Sequence, residues 1–510
     1  QSASGKAEDL SKLTQGGSAQ WGDPIPAESE LSDNQTDAYV VDKIGVPFNN
    51  PLEPKMRIGA FDFFKDGKTA AVCTWDGDVW IVSHIDEKLD KVTWKRFATG
   101  LHEPLGLKIV NEKIYTVGDN QITRFHDFNG DGEADFLENF NNDWENTEGF
   151  HAFCFDLHTD PEGNFYFAMG CPVRAGGRGF ERMGKQHGSV IKVSPDGKDM
   201  SIYASGFRAP NGIGVGPNGE VTTGDNEGSF VPTAPLHWVK SGSFNGVVDS
   251  YHGKRKLKSS PIAGYEIEYK DWKKYKADAR EGFQHDPSEA PKPLVWMSKK
   301  RGIDNSGGGQ AWVTSSKWGP LKDQLLHLSY GQSKMYVVLK EEKGCQMQGG
   351  VARIPVELSS SAMRARMNPK DGQLYVSGLK GWQTNAKGNG GLDRIRYTGK
   401  PVHLPKSIKV KKDVVEIGFY EALDPNAVNS LSQFKFGAWN LKWSFNYGSP
   451  EIPVKGLELK KVELLEDGKT IALHIPNLKP VHMAQIDYDI KSAKGEEIKG
   501  RIDHTIHVVE

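Results

Sequence analysis

Residues 206–228 read GFRAPNGIGVGPNGEVTTGDNEG, and residues 100–125 read GLHEPLGLKIVNEKIYTVGDNQITRF. Both carry the frame G-[LF]-x-x-P-x-G-[LI], followed by a second run that ends in Gly-Asp-Asn. The runs are short, β-rich and closed by Gly, Pro, Asn or Asp, which is the pattern of antiparallel hairpins rather than helices. A unit that returns at such a distance marks a repeat architecture.

Working outward, RIGAFDFFKDGKTAAVCTWDGDVWIVS (57–83) places turns at Asp66-Gly67 and Asp76-Gly77, and GFHAFCFDLHTDPEGNFYFAMG (149–170) repeats the theme. A divergent copy starts at Gly308, and SSAMRARMNPKDGQLYVSGLKGW starts at Ser360. Units near residues 57, 100, 150, 206, 308 and 362 predict an all-β chain, a six-bladed β-propeller over 39–400. The stretch of about 232–293, with its Lys/Tyr/Trp-rich KDWKKYKADAREGF, reads as a partly helical insertion. After Gly399 the pattern changes to longer alternating runs, and 401–510 reads as an Ig-like β-sandwich. In it Trp439, Trp443 and Tyr447 fall four apart, a spacing that serves packing against the propeller or contact with a ligand. Residues 1–38 open polar and Gly/Ser-rich, as a tether behind a cleaved leader or lipid anchor would. That predicts a periplasmic, cell-surface or secreted protein.

A formal net charge of −2 gives no bulk reason to expect nucleic acid as a partner. No apolar run approaches the ~20 residues of a transmembrane helix. The four cysteines are too few and scattered for a disulfide framework. Cys154 and Cys171 lie on neighbouring expected strands, where a pair or two buried thiols are both open readings.

The strongest local motif is Asp127-Phe-Asn129-Gly-Asp131-Gly-Glu133-Ala-Asp135. Oxygens at loop positions 1, 3, 5 and 9, plus the Glu133 carbonyl, supply the hard donors Ca²⁺ takes, and Gly132 allows the tight turn. Position 12 lacks the EF-hand glutamate's setting, so the expectation is a structural calcium loop. His151 stands at the start of an inner strand, where an imidazole can act as general base. His102 and Arg208 hold equivalent frame positions, so the three are expected at one end of the axial channel. Asn211 follows in the same turn. Arg364 and Arg366, two apart, lie on one strand face and are expected to clamp carboxylates bidentately.

At these residues the chain resembles the soluble pyrroloquinoline-quinone (PQQ) sugar dehydrogenase superfamily, including its aldose and sorbosone types. The resemblance spans roughly 39–399. It implies that His151, ahead of Asp160-Pro161-Glu162-Gly163, takes the sugar hydroxyl proton, and that Arg208, Asn211, Arg364 and Arg366 hold the quinone. The family's G-x-R-N-P-x-G element keeps its Arg here (Arg208) and has Ala209 in place of Asn. Gly331 stands where the family has a cofactor-holding Lys, with Lys334 three residues on. Three readings stay open: a PQQ-dependent sugar dehydrogenase; a lyase or hydrolase on uronate-containing glycans with His151 or His102 as base; and a non-catalytic glycan-binding propeller. Each takes a sugar or polysaccharide as partner.

Overall fold

In the computed structural model, strands hold 44% of the residues and helices 3%, so the chain is all-β. The structure describes residues 10–147, 149, 151–174, 177, 179–228, 231–247, 250–252, 290–443 and 447–510. Each of the six sequence units heads one antiparallel sheet. Their first strands are Ile58–Phe63, Gly106–Val110, Cys154–Thr159, Ile213–Val215, Gly307–Trp312 and Arg364–Met367. Each first strand lies against that of the next unit, and the sixth lies against the first. The sixth sheet takes its outer strand, Tyr39–Ile44, from the other end of the chain, in register Tyr39 with Tyr397.

The hairpin turns form for the reason the dipeptides suggested. At the first, Asp66 Oδ1 accepts the Lys68 and Thr69 amides, and Gly67 takes φ 66°, a conformation a side chain disfavours. The apolar residues then bury in wedges between consecutive sheets. Ala60, Phe97 and Leu107 fill the space between the first and second, and Phe140, Cys154 and Phe167 that between the second and third. Trp80 and Trp94 pack with Tyr375 and Leu392 between the first and sixth. Truncating such a side chain, Phe61→Ala for example, costs about 3–5 kcal/mol.

Three expectations change. Ala234–Val239 and Val295–Met297 are the third and fourth strands of the fourth sheet, so the supposed insertion at 232–293 begins and ends inside a regular unit. Its KDWKKYKADAREGF segment lies outside the described residues. The opening segment is docked from Gly17 onward rather than a loose tether. Ile25 pairs with Trp94, and the Gly17, Gln20 and Trp21 amides donate to Asp135 and Glu133. The C-terminal region does form two facing sheets, but one of them is not separate. Glu497–Ile506 pairs with Gln346–Ile354, Gly350 opposite His504, and makes an eight-stranded sheet continuous with the fifth unit. Of the two cysteine readings, thiols hold: all four cysteines are free.

Candidate active site

The frame of the fourth unit builds the first part of the site. Asp225, at the end of its second strand, turns its carboxylate back to the frame. It accepts the amides of Arg208 and Ala209, each at 2.7 Å, and that of Asn226 at 2.7 Å. Burial nevertheless raises the Asp225 carboxyl to about 6. This cap fixes the Arg208 backbone, and the side chain is steered by two glycines. Nη2 donates to the Gly177 carbonyl at 2.8 Å, and a Cβ at Gly228 would run into Nε. The guanidinium carbon lies 5.5 Å from the Tyr447 ring, which reaches over from the C-terminal region. Behind it Glu227 is buried and paired with Lys299 at 3.3 Å; burial raises its carboxyl.

His151 lies within reach of this cation's charge. Its φ is 73°, its ring is half-buried, and it meets Phe153 and Trp382 edge-on at 5.9 and 6.3 Å. Burial first, and the Arg208 charge second, push the imidazole down to about 4. At neutral pH it is an uncharged acceptor in the field of a permanent cation. One N–H of Arg208 is spent on Gly177, and no other hydrogen bond from its guanidinium occurs among the described residues.

The two other arginines are placed differently. Arg364 and Arg366 do share a strand face, but the carboxylate between them is the chain's own Asp156. Arg366 Nη2 pairs with Asp156 Oδ1 at 2.8 Å, and Arg364 Nε lies 3.6 Å from Oδ2. Burial alone would raise Asp156; His158, Arg366 and Arg364 together hold it well below the usual carboxylate range. Arg364 is fully buried and gives its remaining donors to the carbonyls of Leu105, Asn211 and Met363. Asn211 offers that carbonyl, while its own side-chain amide is buried with no hydrogen-bond partner among the described residues. Gly309 of the fifth unit leaves room for Asp156 Oδ2 at close approach. The cluster therefore ties together residues of the second, third, fourth, fifth and sixth units.

A quinone held by these arginines does not fit. Arg364 and Arg366 spend their donors on Asp156, on His158 and on backbone carbonyls, and the one left over, Arg366 Nε, is buried; Gly331 packs on Asn305, and Lys334 donates to the Gly302 carbonyl. Of the charged residues the resemblance assigns to cofactor, Arg208 is the one whose charge acts on His151.

The Asp127–Asp135 loop keeps its turn geometry. Asp127 accepts the Gly130 and Gly132 amides, Asn129 that of Asp131, and Asp131 that of Glu133. Yet Glu133 and Asp135 turn their carboxylates to the docked N-terminal segment, and the Lys95 ammonium sits on the Asp131 carbonyl. Of the expected ligand oxygens, those of Asp135 thus also meet protein donors, the Gly17 and Phe128 amides. His102 is exposed and grouped with Glu103 and Asp119.

Sequence reasoning missed Asp156, Glu227, Lys299 and the Gly228 approach. The Gly-Asp-Asn-Glu-Gly ending held two of these in plain view, whereas nothing local singled out Asp156.

No protein-family model matches the chain, and no curated protein matches it. Among solved structures it is similar to a putative oxidoreductase (glucose dehydrogenase) from Thermus thermophilus, at 14% identity over 67% of this chain and 96% of that one, TM-score 0.46. It is also similar to the PQQ-bound aldose sugar dehydrogenase of Streptomyces coelicolor, at 12% identity over 71% and 99%, TM-score 0.43. The WD40 repeats of RRP9 match at 10% identity over 72% and 99%, TM-score 0.38.

Proposed function

We propose that the six sheets are the blades of a closed propeller and that its His151–Arg208 end is the active site of an enzyme acting on uronate-containing glycans. The observation that carries the reading is the pairing of a neutral imidazole with a guanidinium that has donors left. A sugar carboxylate directed toward Arg208 is neutralised there, which acidifies the C–H next to it. His151 takes that proton, the electron pair forms the C4–C5 double bond, and the bond from C4 to the glycosidic oxygen breaks. The leaving oxygen takes a proton from water. The substrate also strengthens its own base. Once its carboxylate offsets the Arg208 charge, part of what depresses the imidazole is removed. Tyr447 supplies a flat aromatic wall beside the charge.

The test is the full chain with a panel of acidic polysaccharides, followed by the far-ultraviolet absorbance of the unsaturated uronide. Product is expected, with His151→Ala lowering kcat about 10²–10⁴-fold. A parallel arm supplies PQQ and Ca²⁺ with a redox dye and an aldose panel, and no dye reduction is expected. Dye reduction without any uronide product would replace this reading with the quinone one.

A further inference from the structure

The second unit uses the same frame to make a different site. His102 and Glu103 precede its first strand, and Asp119 follows its second; the register Gly106 opposite Val117 brings the three to one end of the hairpin. We propose that His102, Glu103 and Asp119 bind a divalent transition-metal ion, with open coordination positions on the solvent side of His102. This stands apart from the His151–Arg208 reading.

One ligating atom from each residue lies within 4.8 Å of those of the other two. Ligands about 2.1 Å from a shared ion lie about 3–3.5 Å apart, so small side-chain rotations close the site. The second observation is Asp119 itself. It is 7% exposed, and its Oδ1 is buried with no hydrogen-bond partner among the described residues. A buried carboxylate oxygen without a donor is costly unless something cationic or protic meets it. The matching Asp225 has two donors from the frame, Arg208 and Ala209. In the second unit those places hold His102 and Glu103, and Glu103 takes φ 48°, which turns the backbone away from the capping geometry. One imidazole and two carboxylates favour Zn²⁺, Mn²⁺ or Fe²⁺ over Ca²⁺. His102 is exposed, so the site faces water and can admit an oxygen ligand.

The test titrates the chelator-dialysed full chain with Zn²⁺ alone by calorimetry. About one strong site per chain is expected. His102→Gln, a surface change that leaves folding intact, and Asp119→Asn should each weaken it at least about tenfold. Asp119→Asn should also lose the Zn²⁺-dependent rise in Tm, and Asp131→Asn in the other acidic loop should leave Zn²⁺ affinity unchanged. Absence of strong binding, unchanged affinity in His102→Gln, loss of binding in Asp131→Asn, or displacement of Zn²⁺ by equimolar Ca²⁺ would each overturn the proposal.

Discussion

The second and fourth units are written on one frame and do opposite things with it. In the fourth, the Gly-Asp-Asn aspartate is a backbone clasp: Asp225 holds Arg208 and Ala209 by their amides and so fixes the backbone that carries the guanidinium. In the second, Asp119 lacks those frame amides and keeps a buried carboxylate oxygen with no hydrogen-bond partner among the described residues. The difference lies in two side chains, Arg208-Ala209 against His102-Glu103, and in the positive φ of Glu103. What the frame fixes is position, and what the side chains decide is chemistry. One element treats the two units alike. Arg364 donates to the carbonyls of Leu105 and Asn211, which are the same frame position in each.

That shared bolt carries the largest expected effect. Asp156→Ala leaves two buried guanidiniums without their carboxylate and should cost about 3–5 kcal/mol, seen as one cooperative loss in denaturant unfolding. A change confined to one unit would show that the units are not held together there. Next comes a liability of the fourth unit. His237 is fully buried, which pushes it down to about 3, against an ordinary value of 6.5. Below pH 6.5 the unfolded chain takes a proton that the folded chain refuses, so stability falls as pH drops from 6.5 through 3. Between pH 7 and 4 the loss should be about 3 kcal/mol, and His237→Gln should flatten that limb.

The paired aspartates give a smaller and sharper test. Asp225→Ala strands buried amides and should cost about 2 kcal/mol, whereas Asp119→Ala, in metal-free buffer, should change stability by under about 0.5 kcal/mol. Equal losses would erase the distinction between clasp and ligand. Gly228→Ala should cost only about 1 kcal/mol, because its new Cβ meets Arg208 Nε and displaces it. Its mark should instead be a fall of about tenfold in kcat/KM on an acidic glycan, with no loss of Zn²⁺ binding by the second unit.

The strand starts were legible because local grammar makes them. A Gly, Pro or Asp turn followed by an alternating run has few other ways to fold, and all six first strands begin within about two turns' length of the unit starts. Arg208 was legible as a frame position, and His151 as a residue at a strand start, for the same reason. The role of Arg364 and Arg366 was not. Two guanidiniums on one face announce a carboxylate without saying whose, and Asp156 lies over two hundred residues away at a bulge between Phe155 and His158. The fusion of the C-terminal sheet to the fifth unit was hidden likewise. Edge pairing is made of backbone groups that every residue carries, so Gly350 and His504 bear no sign of each other. Tyr447 was noticed for its spacing from Trp443, yet its neighbour Arg208 is set by the meeting of two distant regions.

At the centre of the proposed chemistry stands a neutral His151, held down by burial first and by the Arg208 charge second. Titrating the His151 ring by NMR, with the His151→Gln spectrum for assignment, tests that directly. Without ligand the pKa should sit near 4, and it should rise by about one unit or more on saturation with a uronate oligosaccharide but not with its neutral counterpart. A free-protein pKa at the ordinary 6.5, or an identical response to charged and neutral sugars, would contradict it.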